Sequence, residues 1–307
     1  MNSYQSPITS YQLTKRGFTL IEILVVLAII GFFIGMMART FIQHNNQRCF
    51  DETLEKMQQL KEALLGNPAS YINGQRQFSG YIPDMGGLPE LIDGQPKGLW
   101  TDDLDNDGIG DLPLWEYKHS LKTWCGWRGP YIEYPFLKKG ELQGEEKIRD
   151  AWGNPFIFSV ADNKMTIESY GADGIDDTVE KDGFDKDIEM TISSTEYTAP
   201  LGGQVSGFDN RINVRIRIYF ATEGKEAKKT IRGVSEKGYF RFEFVEGESD
   251  GIGRANISMP IGMHRIVIWE EDSPSGDPEL DSPNDPRKEF IFYLKPSSFW
   301  LGEIRLS

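Results

Sequence analysis

The chain has 307 residues, a formal charge of −14 at pH 7 and two cysteines. Its acidity is concentrated, since residues 67–196 carry 12 basic and 25 acidic side chains. Such a segment repels nucleic acid and favours bound cations, which argues against nucleic-acid binding. No P-loop, G-x-S-x-G elbow or H-E-x-x-H string points to an enzyme.

Residues 15–22 read Lys-Arg-Gly-Phe-Thr-Leu-Ile-Glu, and an almost unbroken apolar run continues to Ala38. About 20 apolar residues cross a bilayer as a helix. A secretory signal has a shorter apolar core, roughly 7–15 residues, with its cut site behind it. Here the small residue, Gly17, stands in front. A plain membrane anchor explains the length but not Glu22, because acids inside a span are expensive and are retained for a partner.

The octet resembles the processing site of type IV prepilins. That resemblance implies cleavage by a prepilin peptidase between Gly17 and Phe18, N-methylation of Phe18, and a role for Glu22 in filament assembly. Cleavage leaves an α-amine with a reference pKa of about 7.7–8.0, hence a cation at neutral pH. The resemblance further implies that Glu22 of an incoming subunit meets Phe18 of its neighbour. Lys15 and Arg16 stay cytoplasmic under the positive-inside rule, which places everything after Arg39 across the inner membrane. The expected organisation is a leader at 1–17, a helix at 18–66 that crosses the membrane over about 18–38, a head at 67–196 and a sandwich at 197–307. The helix continues past the membrane on Cys49, Phe50, Leu54, Met57, Leu60 and Leu64, and Gly66-Asn67-Pro68 stops it.

Within the head, Gly126-Trp127-Arg128-Gly129-Pro130-Tyr131, Asp150-Ala151-Trp152-Gly153-Asn154-Pro155-Phe156 and Ser169-Tyr170-Gly171-Ala172-Asp173-Gly174 occur in that order, followed by Asp185-Lys186-Asp187-Ile188. These segments resemble the major pseudopilin of type II secretion. The likeness implies a Ca2+ loop with side-chain ligands Asp173, Asp185 and Asp187 and carbonyls near Tyr170 and Gly171. The chain departs from that family in a Gly- and Asp-rich insertion at 81–123. It also continues for more than a hundred residues after the loop.

A second cation loop is readable from spacing. Asp103, Asp105 and Asp107 occupy positions 1, 3 and 5 of an EF-hand-like string, with Gly108 at 6, the Ile109 carbonyl at 7 and Asp111 at 9. Position 12 is Leu114, so the bidentate glutamate is missing, and a surface turn rich in Asp, Asn and Gly remains the competing reading. Cys49 and Cys125 belong to no metal-like cluster. They are either two independent thiols or, in an oxidising periplasm, a disulfide.

Residues 191–209 read as a Ser/Thr/Gly/Pro linker. Beyond it, Ile212, Val214, Ile216, Ile218 and Phe220 alternate with Arg211, Arg215, Arg217 and Tyr219, a half-buried strand. Five or six strands are expected, in a pattern that resembles the carboxypeptidase-regulatory-like or prealbumin-like β-sandwich and should fold by itself. The three arginines are read as a solvated outward face or an anion site.

The expected fold class is α+β: a long transmembrane helix packed on a pilin-like head with a small antiparallel sheet, then an Ig-like or prealbumin-like sandwich. The expected molecule is a non-enzymatic filament subunit serving type II secretion. It would work with other pseudopilins, the inner-membrane assembly platform and secreted cargo. The alternative is a minor pilin that displays a binding β-domain on a surface filament.

Overall fold

The computed structural model describes residues 19–67, 71–72, 75–76, 80–132, 147–176, 181, 183–271, 287–297 and 299–306. Two compact units divide the chain, Met1–Arg48 and Cys49–Ser307. The first helix, α1 (Leu20–Leu65), runs from one into the other. Its apolar N-terminal part buries nothing within the chain, and by length and composition it is able to cross a membrane. It ends as the sequence predicts. Gly66 adopts φ 82° and its N–H donates to the Glu62 carbonyl at 2.8 Å, the left-handed cap for which glycine is suited.

In the second unit, Thr53, Met57, Leu60 and Leu64 fall at helical spacing and are fully buried. They form one stripe of a core completed by Ile82, Leu99, Ile148, Phe156, Met165, Ile167 and Ile192. The head supplies a short pair β1 (Tyr71–Ile72) and β2 (Gln75–Arg76), a one-turn helix α2 (Tyr81–Met85), and a hairpin of β3 (Glu116–Lys118) and β4 (Thr123–Cys125). Then comes an antiparallel sheet ordered β5 (Ile157–Ala161), β6 (Lys164–Ser169), β7 (Ile188–Ile192). Asp162 and Asn163, at φ 51° and 56°, form the two-residue turn between β5 and β6. Positive φ at both positions matches the strand twist and suits these residue types.

The predicted linker is a correction. Residues 191–209 hold the end of β7, a helical turn α3 (Ser194–Tyr197) and strand β8 (Leu201–Ser206). Ser193 and Glu196 make a reciprocal capping box on α3, and Glu196 also pairs with Lys61 of α1. The glycines that look like linker residues serve close packing instead. A Cβ on Gly202 would lie 3.0 Å from the Trp300 ring, and one on Gly203 would lie 2.7 Å from the Phe240 ring.

The remaining strands are β9 (Val214–Thr222), β10 (Lys225–Arg232), β11 (Tyr239–Phe242), β12 (Arg254–Ala255), β13 (Gly262–Glu270), β14 (Arg287–Leu294) and β15 (Phe299–Arg305). They build two four-stranded sheets, ordered β10-β9-β13-β14 and β12-β11-β8-β15. Among the described residues, eight strands thus stand where five or six were expected. Val214, Ile216, Ile218 and Phe220 of β9 pack beside Ile266 and Ile268 of the neighbouring β13 and with Phe240 and Phe242 of the other sheet in one hydrophobic core, as their alternation predicts.

The opposite face of β9 departs from the sequence reading. Arg215 and Arg217 are 5% exposed. Arg215 pairs with Glu271 at 2.9 Å. Arg217 donates to Thr230 at 3.0 Å and stacks over Trp269. The face is closed by the β3–β4 hairpin, whose Leu121 and Cys125 cluster with Tyr219, Ala221, Val267 and Trp269. Lys122 and Arg265 converge on Glu289, each at 2.9 Å, and Arg265 also donates to the Ser120 carbonyl. Alternation cannot reveal this, because it identifies the core face of a strand and leaves the other face to whatever the rest of the chain supplies.

His264 on β13 is buried, with Nε2 2.8 Å from the Pro260 carbonyl and its ring against Phe292. Burial pushes its pKa down to about 4 from an ordinary 6.5. The fold therefore prefers neutral imidazole. Its contribution is complete above pH 6.5 and is lost as pH falls toward 4, by roughly 3 kcal/mol in all. Denaturant titrations of wild type and His264→Gln should differ by a stability gap that shrinks over that window. A gap independent of pH between 7 and 4 would contradict it.

Candidate functional site

Gly17 and Phe18, the predicted cleavage and methylation positions, lie outside the described residues. The described residues begin at Thr19, and there the octet has a property the sequence reading passed over. The Glu22 Oε2 accepts the Thr19 N–H at 2.8 Å and the Thr19 hydroxyl at 2.9 Å, while the Glu22 N–H donates to Thr19 Oγ1 at 3.3 Å. Thr-x-x-Glu is a capping box, and its signal was present in Thr19-Leu20-Ile21-Glu22. Within the single chain, Glu22 thus satisfies the start of α1. The same carboxylate lies four positions along the sequence from the predicted new N-terminus, among exposed residues of α1.

The insertion loop brings Asp103, Asp105 and Asp111 together, with one carboxylate oxygen of each within 4.8 Å of the others. Oxygens that share a Ca2+ at about 2.3–2.6 Å lie no more than about 5 Å apart, so this spacing fits one cation. Asn106 and Gly108 take φ 62° and 88° to close the loop. Backbone amides already soften the charge: Gly108 donates to Asp103 Oδ2 and Leu104 to Asp111 Oδ2, at 2.8 and 2.7 Å. Asp107 does not join them. Its Oδ1 accepts the Ile109 N–H at 2.8 Å, a local turn contact that spacing alone does not distinguish from ligation. Ile109 itself is exposed.

The second predicted loop is arranged differently. Asp173 Oδ2 pairs with Lys181 at 2.6 Å and Oδ1 accepts the Ile175 N–H at 3.1 Å, and the lysine contact holds Asp173 below the usual carboxylate range. Asp185 ends an exposed turn, and Asp187 precedes β7. The Tyr170 carbonyl accepts from Gly174 N–H at 3.1 Å, and the Gly171 carbonyl accepts from Asn154 Nδ2 at 2.8 Å. Glu168 lies directly across from Glu189 on β6 and β7. Burial, then Asp187, Asp176 and Glu189, raises its pKa. The region is electronegative, yet the Lys181 ammonium already pairs with Asp173. Among the described residues, the group of three converging carboxylates is the one in the insertion.

The motif segments explain how the head is held. Asp84 of α2 is 3% exposed and is gripped by Arg128 at 3.1 Å from both Nε and Nη2, with the Tyr131 hydroxyl donating at 3.2 Å. Burial pushes Asp84 up to about 7, against the pull of the guanidinium and hydroxyl. Asp150, also buried, accepts from Gly153 and Asn154 N–H and from Ser169 Oγ, at 2.8, 2.8 and 2.7 Å. Thr53 on α1 accepts the next amide, from Ala151, at 3.1 Å. Both hubs were missed as individual residues, although their segments were singled out.

Cys49 and Cys125 are both buried and are not joined by a disulfide. Cys125 Sγ lies 3.7 Å from the Gly224 carbonyl, and burial pushes its thiol up to about 11.

The family model of the prokaryotic N-terminal methylation motif matches residues 13–38. No curated protein and no solved structure matches the chain. The match covers the leader junction and the apolar run that α1 carries. It implies processing by a prepilin peptidase, a single-pass membrane anchor and assembly with other pilin subunits. With that motif and the long apolar helix beside it, the chain is a type IV pilin-like protein.

Proposed function

We propose that the chain is a structural subunit of a periplasmic pseudopilus-like filament that serves type II protein secretion, with the residues after Arg39 across the inner membrane. The carrying observation is Glu22, an acid kept inside an apolar helix and within the matched methylation motif. In lipid such a group is retained for a partner. The order of the three head segments supports the secretion branch, and their residues form the hubs that hold α1, α2, Ser169 and Gly171. Intact-mass analysis of the membrane form tests the first step. It should begin at N-methyl-Phe18, and a chain retaining Met1 would defeat the subunit reading. The secreted proteome of a clean deletion strain tests the second, since loss of secreted proteins on deletion and their return on complementation are expected.

The second reading, a minor pilin that displays the sandwich, draws on the size of that domain. Unchanged secretion in the deletion strain, together with the chain recovered in sheared surface filaments, would favour it.

Calcium belongs to the same proposal. Asp103, Asp105 and Asp111 would hold one ion, and Asp173, Asp185 and Asp187 a second after Lys181 yields its place. A ligand that binds only the folded state stabilises by about 2.7 kcal/mol at a hundredfold excess over Kd. The full chain in detergent should melt several degrees higher in calcium than in chelator. Asp105→Asn should remove part of that difference, and equal melting temperatures in the two buffers would remove calcium from the account.

A further inference from the structure

The β3–β4 hairpin has two faces with unlike fates. Its inner face, Leu121 and Cys125, is sealed against β9 and β13. Its outer face carries a row of rings. Trp115 stacks on Trp124, with centroids 6.2 Å apart and planes 15° apart. Tyr117 meets Trp124 edge-on at 6.0 Å, and His119 meets Tyr117 at 5.3 Å. Arg128 covers the Trp115 ring at 4.5 Å. Trp124 and Tyr117 remain 49% and 42% exposed, and neighbouring Leu114 is 63% exposed. A two-stranded hairpin of this length is marginal by itself, and the inner face holds it in place. The outer rings are therefore pre-positioned on a rigid base while still facing water.

We propose that this outer face is a head-to-head contact between copies of the chain in the assembled filament. The inference rests on the filament-subunit reading above. Its composition is that of an interface centre, where tryptophan, tyrosine and arginine carry most of the binding energy. The charge pattern selects the occupant. The segment 67–196 has an excess of 13 acidic groups, so two heads brought together in a filament repel over most of their surface. On this face the bordering charges are already matched: Arg128 with Asp84, Lys118 with Glu116, and Lys122 with Glu289. Two like-charged copies approach at least electrostatic cost where charge is locally balanced and the surface is aromatic. A basic partner would instead be drawn to the acidic loops.

The test uses the full chain in its own cells, with single added cysteines and a bifunctional thiol crosslinker. Cys49 and Cys125 are buried and give little background. Tyr117→Cys reports on the aromatic face, and Phe41→Cys, exposed on α1, reports on helix assembly. Crosslinked dimers, the largest product that one reactive thiol per chain allows, are expected from both positions. In the Phe41→Cys chain, Trp124→Ala should lower the yield of crosslinked dimer roughly ten-fold or more, with an unchanged melting temperature. A Phe41→Cys dimer with none from Tyr117→Cys, or adducts of another mass at Tyr117→Cys, overturns the contact and leaves the subunit reading standing. Absence of both dimers overturns the two together. Retention of the full Phe41→Cys dimer yield in Trp124→Ala also counts against the contact.

Discussion

Truncation after Pro200 should yield an aggregating or molten head, not a smaller folded subunit. Removing β9 and β13 uncovers Leu121 and Cys125, which are at most 1% exposed in the whole chain, and takes Ile261 out of the core around α1. The α2 turn loses its seat as well. Gly86 approaches β9 so closely that a Cβ there would lie 1.9 Å from the Ala221 carbonyl. The Gly224 N–H donates to the Met85 carbonyl at 2.7 Å. Truncating a single buried leucine to alanine costs about 2–5 kcal/mol, and a domain has about 5–15 kcal/mol in total. Losing the whole cover removes several such contributions together. Leu121→Ala in the full chain isolates one of them and should lower stability within that 2–5 kcal/mol range, read as a shift in denaturant midpoint. Circular dichroism melts and limited proteolysis of the truncated chain decide the larger point. A cooperative melt close to that of the full chain would show that head and sandwich fold independently after all.

That result would turn on the part of the fold the sequence did not disclose. The apolar run, the glycine stop at Gly66 and the alternation of Val214 to Phe220 each follow from local periodicity, and each element is where periodicity puts it. The cover over Arg215 and Arg217 has no local signature, because an arginine beneath a hairpin and an arginine in water read alike. Gly202 and Gly203 looked like linker residues because composition does not tell a flexible glycine from one pressed beneath a ring. At the sites the same division holds. Spacing found Asp103, Asp105 and Asp111, and it could not foresee that Asp107 turns to its own backbone or that Lys181 stands beside Asp173. The Thr19 cap was legible and was passed over because the assembly role of Glu22 explained the residue without it.

Those two roles of Glu22 make the last expected result. In the single chain the carboxylate accepts both Thr19 donors, whereas the filament reading has it meet the Phe18 ammonium of a neighbour. The cap needs an acceptor oxygen, which glutamine retains. The intersubunit pair needs negative charge, which glutamine lacks. Glu22→Gln should therefore insert normally and keep the start of α1, yet lose crosslinked oligomers from the Phe41→Cys reporter by about ten-fold or more, because a charge-assisted contact to the ammonium is roughly twice as strong as a neutral one. Glu22→Leu should lose them equally and fray the first turn as well. Thr19→Val removes the hydroxyl and keeps the charge, so it should assemble, with faster amide exchange over the first turn as its mark. The order separates the mechanisms cleanly. If Glu22→Gln assembles like wild type while Thr19→Val fails, capping of α1 is the function of the acid, and the ammonium pair has no part in assembly.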